Sequence, residues 1–158
     1  MQYLNVDIRP MEERDLPAVM EIENLSFFAP WKKEDLLYEM NENKLANIWV
    51  IELSSEGLAK QVVGFSDYWQ TFDSGTICQI AIHPGIRHHQ LGSALMDEII
   101  NDCYVKRVRT ITLEVRKSNQ IAINFYKKHG FIETLVKPNY YSNGEDAIYM
   151  IREVNLNG

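Results

Sequence analysis

Midway along the chain the joints between apolar segments change character, and that change limits the folds open to it. Before residue 83, β-type runs at about Ile48–Leu53, Val62–Gln70 and Thr76–Ile82 are joined by SSEG and FDSG, whose Gly, Ser and Asp are turn formers. Such short joints make an antiparallel run. After it the joints lengthen to whole helices. HPGIRHHQLG leads into a helix with Leu91, Ala94, Leu95, Ile99 and Cys103 at helical spacing, and the β-branched strand Thr110–Val115 follows. Ser118 is the expected cap of a helix over Asn119–His129, with Gly130 where a left-handed residue belongs. A strand near Phe131–Val136, a polar loop at Pro138–Glu145 and a strand near Asp146–Glu153 complete the tail.

The first third reads as a strand and two helices. In YLNVDIRP, Leu4, Val6 and Ile8 alternate with polar residues. Asp15 is the expected N-cap of a helix carrying Val19, Ile22 and Leu25 inward, with Pro17 in its first turn. SFFAPW interrupts it, and Lys32–Asn41 puts Leu36, Leu37 and Met40 on one face. The predicted order is β-α-α-β-β-β-α-β-α-β-β, an α/β chain of α+β type. Its mixed, mostly antiparallel sheet carries helices on both faces. At 158 residues, without repeats or a Pro/Gly/Ser linker, residues 1–158 are expected to form a single domain.

Charge narrows the partners. Sixteen Lys and Arg against 22 Asp and Glu leave a net charge of −6, which argues against direct nucleic-acid binding and favours a basic peptide as substrate. No apolar run approaches the roughly 18 residues of a membrane span, and MQYLNVDIRPMEERD does not read as a signal peptide. A cytoplasmic protein, a monomer or weak homodimer working away from membranes, is expected. Cys78 and Cys103 have neither a CxxC nor a base partner and read as small buried hydrophobes. His88 and His89 are adjacent, poor spacing for chelation, while His83 and His129 lie on other elements, so no metal site is expected.

Two stretches carry chemistry. The joint HPGIRHHQLGSAL delivers backbone N–H groups into a helix N-terminus, an anion-binding arrangement that Arg87 reinforces; an ordinary turn is the alternative. In LEVRKSNQIAINFYKKHGF, Glu114 lies on a strand opposite Leu113 and Val115, and Tyr126 follows on the next helix. A strand carboxylate and a helix phenol across a cleft serve as base and acid. The competing reading is an ion pair of Glu114 with Arg116, and core packing for Tyr126. Phe27, Phe28 and Trp31 in SFFAPW, and Tyr140 and Tyr141 in the late loop, are either core or the wall of a substrate site.

Taken together, IAIHPGIRHHQLGSALM, LEVRKSNQIAINFYKKHGF and YYSNGEDAIYM resemble the GNAT superfamily of acetyl-CoA-dependent N-acetyltransferases. Within it the chain is most similar to the ribosomal-protein-alanine N-acetyltransferases, over nearly its whole length. The resemblance implies that Ile80, Ala81 and Ile82 pair by their backbone with the pantetheine arm of acetyl-CoA. It implies a pyrophosphate loop formed by Arg87, His88, His89, Gln90, Leu91, Gly92 and Ser93, with Asn119 lining the same site. Glu114 falls on the position of the proton acceptor and Tyr126 on that of the donor; Phe28, Trp31, Tyr140 and Tyr141 fall on the acceptor side. The implied acceptor is a protein N-terminus, that of a ribosomal protein beginning with alanine. A small-molecule amine, a lysine, or a non-catalytic role in acyl-CoA binding are the alternatives. Gln90 departs from the family loop, where a glycine usually stands, and a side chain there crowds the pyrophosphate if the site needs a positive φ or very close approach.

Overall fold

The structure, a computed structural model, describes residues 5–86 and 90–157. Seven strands form one sheet, β1 (Asn5–Pro10), β2 (Ala46–Ser54), β3 (Gln61–Thr71), β4 (Ser74–Ile82), β5 (Thr110–Arg116), β6 (Ile132–Lys137) and β7 (Ala147–Glu153). Their spatial order is β1-β2-β3-β4-β5-β7-β6. The helices are α1 (Leu16–Ser26), α2 (Lys33–Asn41), α3 (Leu91–Val105) and α4 (Gln120–Lys128), and the order along the chain is the predicted one. Two compact units divide it, one drawn from Met1–Trp69 and Gln79–Ile99, the other from Gln70–Cys78 and Ile100–Gly158.

In the first unit β1, β2 and β3 are antiparallel, β2 and β3 through the short joint read in the sequence and β1 with β2 across a connection that holds α1 and α2. Strand alternation sends neighbouring residues to opposite faces, so two buried clusters arise from one set of strands. Val50, Phe65 and Ala81 pack with Leu16, Val19, Ile22 of α1 and Leu36 of α2. Ile51, Leu53, Val63 and Ile82 pack with Leu91 and Leu95 of α3. Helices therefore cover both faces here. Arg9 anchors β1, donating to Asp15 at 2.8 and 2.9 Å and to Glu52 at 3.1 Å. Asp15 stands at the N-cap position of α1 but makes no side-chain cap bond, its carboxylate being taken by Arg9 and by the Glu12 N–H. α1 also departs from the expected inward set: Leu25 is exposed, whereas Glu23 is fully buried.

In the second unit the start of β4 is parallel to β5, over Ser74–Thr76 against Thr110–Thr112. β7 pairs antiparallel with both β5 and β6. Ile111, Leu113 and Val115 share the buried face of β5, which leaves Glu114 on the other. The cap of α4 is Asn119 rather than Ser118, because the Asn119 Oδ1 accepts the Ala122 N–H at 3.1 Å. Gly130 does follow the helix in the left-handed conformation, φ 88°. Cys103 is fully buried and Cys78 partly so, and neither is in a disulfide.

Candidate functional site

The second unit gathers several of the predicted residues. Antiparallel pairing sets Glu114 on β5 directly opposite Tyr149 on β7, so their side chains share a face. From β6, one strand further out, Lys137 reaches over the Tyr149 ring, its Nζ 4.6 Å from the centroid, and meets Glu114 Oε1 at 2.7 Å. The partner of Glu114 is thus Lys137 and not Arg116. The hydrogen bond to Glu114 is the first cause that raises the Lys137 ammonium above its ordinary value. Both side chains keep some exposure, 20% and 37%, so the pair can part without stranding a charge in the core.

Arg116, two residues along β5, turns to the β6–β7 loop. Its guanidinium donates to Glu145 at 3.2 Å and to Asn143 at 3.1 Å, and it lies 4.0 Å from the Tyr141 ring centroid. Glu145 also accepts the Ser118 N–H at 2.8 Å, and the Ser118 bonds are the first cause holding its carboxyl below the usual range. That network fixes the loop carrying Tyr140 and Tyr141, whose rings meet edge to face at 5.0 Å. Burial foremost pushes the Tyr141 phenol up to about 12, and the Glu114 charge adds to the rise.

Tyr126 on α4 packs edge to face on Phe125 and Phe131. Burial first, then Tyr141, raises its phenol well above the ordinary tyrosine value, so the hydroxyl keeps its proton across the neutral range. Glu114, Tyr141 and Tyr126 therefore act on one another electrostatically in sequence, with Tyr140 beside them. The Asn119 side chain, expected at the cofactor, holds the first turn of α4.

The other predicted residues belong to the first unit. Ile80, Ala81 and Ile82 lie on β4 beyond the end of its parallel register with β5. In the segment between α1 and α2, Phe27 and Trp31 pack on the α1–α2 cluster, while Phe28 is 70% exposed. The segment is thus part core and part exposed. Gln90 carries the left-handed backbone that a glycine prefers, φ 57°, and its carbonyl accepts the Ala94 N–H at 3.1 Å to open α3. Leu91 is buried and Gly92 and Ser93 continue the helix; Arg87, His88 and His89 lie outside the described residues.

Three participants were not read from the sequence. Lys137 is invisible in sequence because β7, later in the chain, inserts between β5 and β6. Glu23 and Gln79 look like ordinary polar positions, yet both are buried and hydrogen-bonded to each other at 2.7 Å. A polar residue at the inward spacing of α1 was the available signal for Glu23. Among the described residues no three His, Cys, Asp or Glu side chains could hold a metal ion, and no helix is long and apolar enough to cross a membrane.

The acetyltransferase (GNAT) family matches residues 16–131. A Bacillus subtilis protein, provisionally named a ribosomal protein bS18-alanine N-acetyltransferase, is 37% identical over 94% of this chain and 95% of its own. The Escherichia coli ribosomal protein bS18-alanine N-acetyltransferase is 31% identical over 94% of this chain and 98% of its own. The crystal structure of the Escherichia coli ribosomal-protein-S18-alanine N-acetyltransferase superposes with a TM-score of 0.81, covering 98% of this chain and 97% of that one. Ard1 from Thermoplasma volcanium, 32% identical, gives 0.81 over 94% and 97%. These likenesses lead to one assignment: the chain belongs to the GNAT acetyltransferase family and is an N-acetyltransferase.

Proposed function

We propose that the protein moves an acetyl group from acetyl-CoA to the α-amine of a protein N-terminus, that of a ribosomal protein beginning with alanine. The observation that carries the acceptor is the likeness to alanine N-acetyltransferases of ribosomal protein bS18 along 94% of the chain. An α-amine has an ordinary pKa near 7.7–8.0, so only about a tenth of it is neutral at pH 7, and a base is needed. Glu114 takes that proton, directly or through one water, and the free amine attacks the thioester carbonyl. Lys137 holds the carboxylate in place until the acceptor arrives. Backbone N–H groups of Ile80–Ile82 steady the developing oxyanion, and the start of α3 receives the pyrophosphate. Tyr126, whose phenol stays protonated, gives its proton to the departing CoA thiolate.

Phe28, Trp31, Tyr140 and Tyr141 are the acceptor-binding residues in this reading. Its work is placed in the cytoplasm. A peptide panel incubated with acetyl-CoA, scored for mass gain and its position, tests it. Acetylation of Ala- or Ser-starting N-termini is expected. Exclusive transfer to lysine ε-amines or to polyamines would overturn it.

A further inference from the structure

Glu23 is a carboxylate with no exposure, placed in the last turn of α1 where the chain leaves for the segment that carries Phe28 and Trp31. Its Oε1 accepts two hydrogen bonds, from the Trp31 backbone N–H at 2.7 Å and from the Gln79 Nε2 of β4 at 2.7 Å. One oxygen thus ties the far end of the segment to a central strand. The remaining atoms of the pair do not balance. Glu23 Oε2 and Gln79 Oε1 are both buried, both acceptors, and neither meets a donor. Each such orphan forfeits the hydrogen bond it would make to water and is destabilising. Two orphans in one hydrogen-bonded pair call for a common explanation.

A single proton supplies it. A carboxylic acid and a primary amide each present one donor and one acceptor, so a proton on Glu23 Oε2 donates to Gln79 Oε1 while Glu23 Oε1 accepts from Gln79 Nε2. We propose that Glu23 is a neutral carboxylic acid, reciprocally paired with Gln79, and that this pair is the latch positioning the Phe27–Trp31 segment for the acceptor. The positioning part rests on the reading of that segment as an acceptor wall. The surroundings agree. Burial is the first cause raising the Glu23 carboxyl above its ordinary range, opposed by the Trp31 and Gln79 hydrogen bonds. The Asp35 carboxylate of α2 adds to the rise, while β4 offers the uncharged Gln79. Glu23 acts through the segment and not on the reacting atoms, so it is a positioning residue.

Glutamine reproduces the donor and acceptor of the neutral acid, whereas alanine removes both. The latch therefore predicts that Glu23→Gln keeps acceptor kcat/KM within about threefold, while Glu23→Ala raises acceptor KM by roughly tenfold or more and leaves acetyl-CoA KM within about twofold. Infrared difference spectra at neutral pH should show a protonated carboxyl C=O band that Glu23→Gln abolishes and that Asp67→Asn, at the fully buried acid of β3, leaves. Thermal melts against pH give a measurement free of activity. An acid whose folded pKa is raised costs stability as pH climbs from its unfolded value, so the Tm advantage of Glu23→Gln over the wild type should grow with pH. No Glu23-dependent band, or a Gln variant as poor in acceptor KM as the Ala variant, would overturn the latch. If Glu23→Ala does not fold, the band and the Gln variant still decide. Should the enzyme acetylate only other amines, the proposed acceptor fails, the KM comparison uses those amines, and the band judges the latch independently.

Discussion

At Glu114 the reaction and the resting structure make different demands on one carboxylate. Lys137 holds it at 2.7 Å, and the proposed chemistry asks it to accept a proton from an arriving ammonium. Glu114→Gln keeps the shape and the contact while removing the base. Turnover should fall by about two to four orders of magnitude, with acetyl-CoA binding retained, and less at high pH where more of the amine is already neutral. Near-normal kcat at pH 7 in that variant would remove Glu114 from the mechanism. Gln90 poses the opposite case, a side chain where the backbone suits glycine, φ 57°. A left-handed conformation costs a residue with a Cβ about 1–2 kcal/mol, part of which glycine returns through the entropy of its unfolded chain. Gln90→Gly should raise Tm slightly and change acetyl-CoA affinity by less than about tenfold, or roughly 1.4 kcal/mol. Titration calorimetry checks the second figure, and a far larger gain would mean that the Gln90 side chain blocks the loop.

Strands and helices were legible where local chemistry alone decides them. Turn residues marked the early antiparallel run, β-branched alternation marked β5, and Gly130 marked the end of α4, since a left-handed residue there requires it. Legibility stopped where a partner distant in sequence decides. α1 buries Glu23 and exposes Leu25 although Trp31 and Gln79 bond only Oε1 of the Glu23 carboxyl, and periodicity carries no information about either partner. The cap of α4 moved one residue, from Ser118 to Asn119, because Ser118 bonds Glu145 through its side chain as well as its N–H, and the Asn119 Oδ1 closes the first turn. Glu114 was legible as a polar residue on an apolar strand, but its pairing with Lys137 depends on the strand exchange that sets β7 between β5 and β6. Close approach between strands gives a further test. A Cβ on Gly64 of β3 would lie 2.9 Å from the Ala81 carbonyl oxygen and 2.8 Å from Ile51 Cγ2, and the carbonyl cannot step aside without moving β4. Gly64→Ala should therefore lose about 1–3 kcal/mol of stability and weaken acetyl-CoA binding through the displaced Ala81–Ile82 backbone. An unchanged melting curve would show that β3 and β4 yield more easily than close packing allows.

For the molecule as a whole, stability should respond to pH through an acid that no catalytic reading uses. Asp67 of β3 is fully buried beside the Glu39 carboxylate, and burial foremost pushes it up to about 9. The folded protein then keeps a proton that the unfolded chain gives up near pH 4. The sign follows: the advantage is complete at low pH and drains as pH rises toward 9, by at most about 1.4 kcal/mol per unit. Asp67→Asn carries no such proton, so its Tm should decline less steeply between pH 5 and 8 than that of the wild type. Parallel declines would show that Asp67 ionises at little cost. Charge has a second consequence at this scale. In the second unit Glu114 meets Lys137 and Glu145 meets Arg116, one cation to each carboxylate, so these pairs leave little local excess to draw an acceptor in. Long-range attraction for a basic peptide then comes from the chain's net charge of −6, a diffuse field acting through solvent. Ions screen such a field over about 8 Å at 0.15 M and about 3 Å at 1 M. Added salt should accordingly slow capture of basic peptides, lowering their kcat/KM, while uncharged peptides and the kcat of both classes stay level.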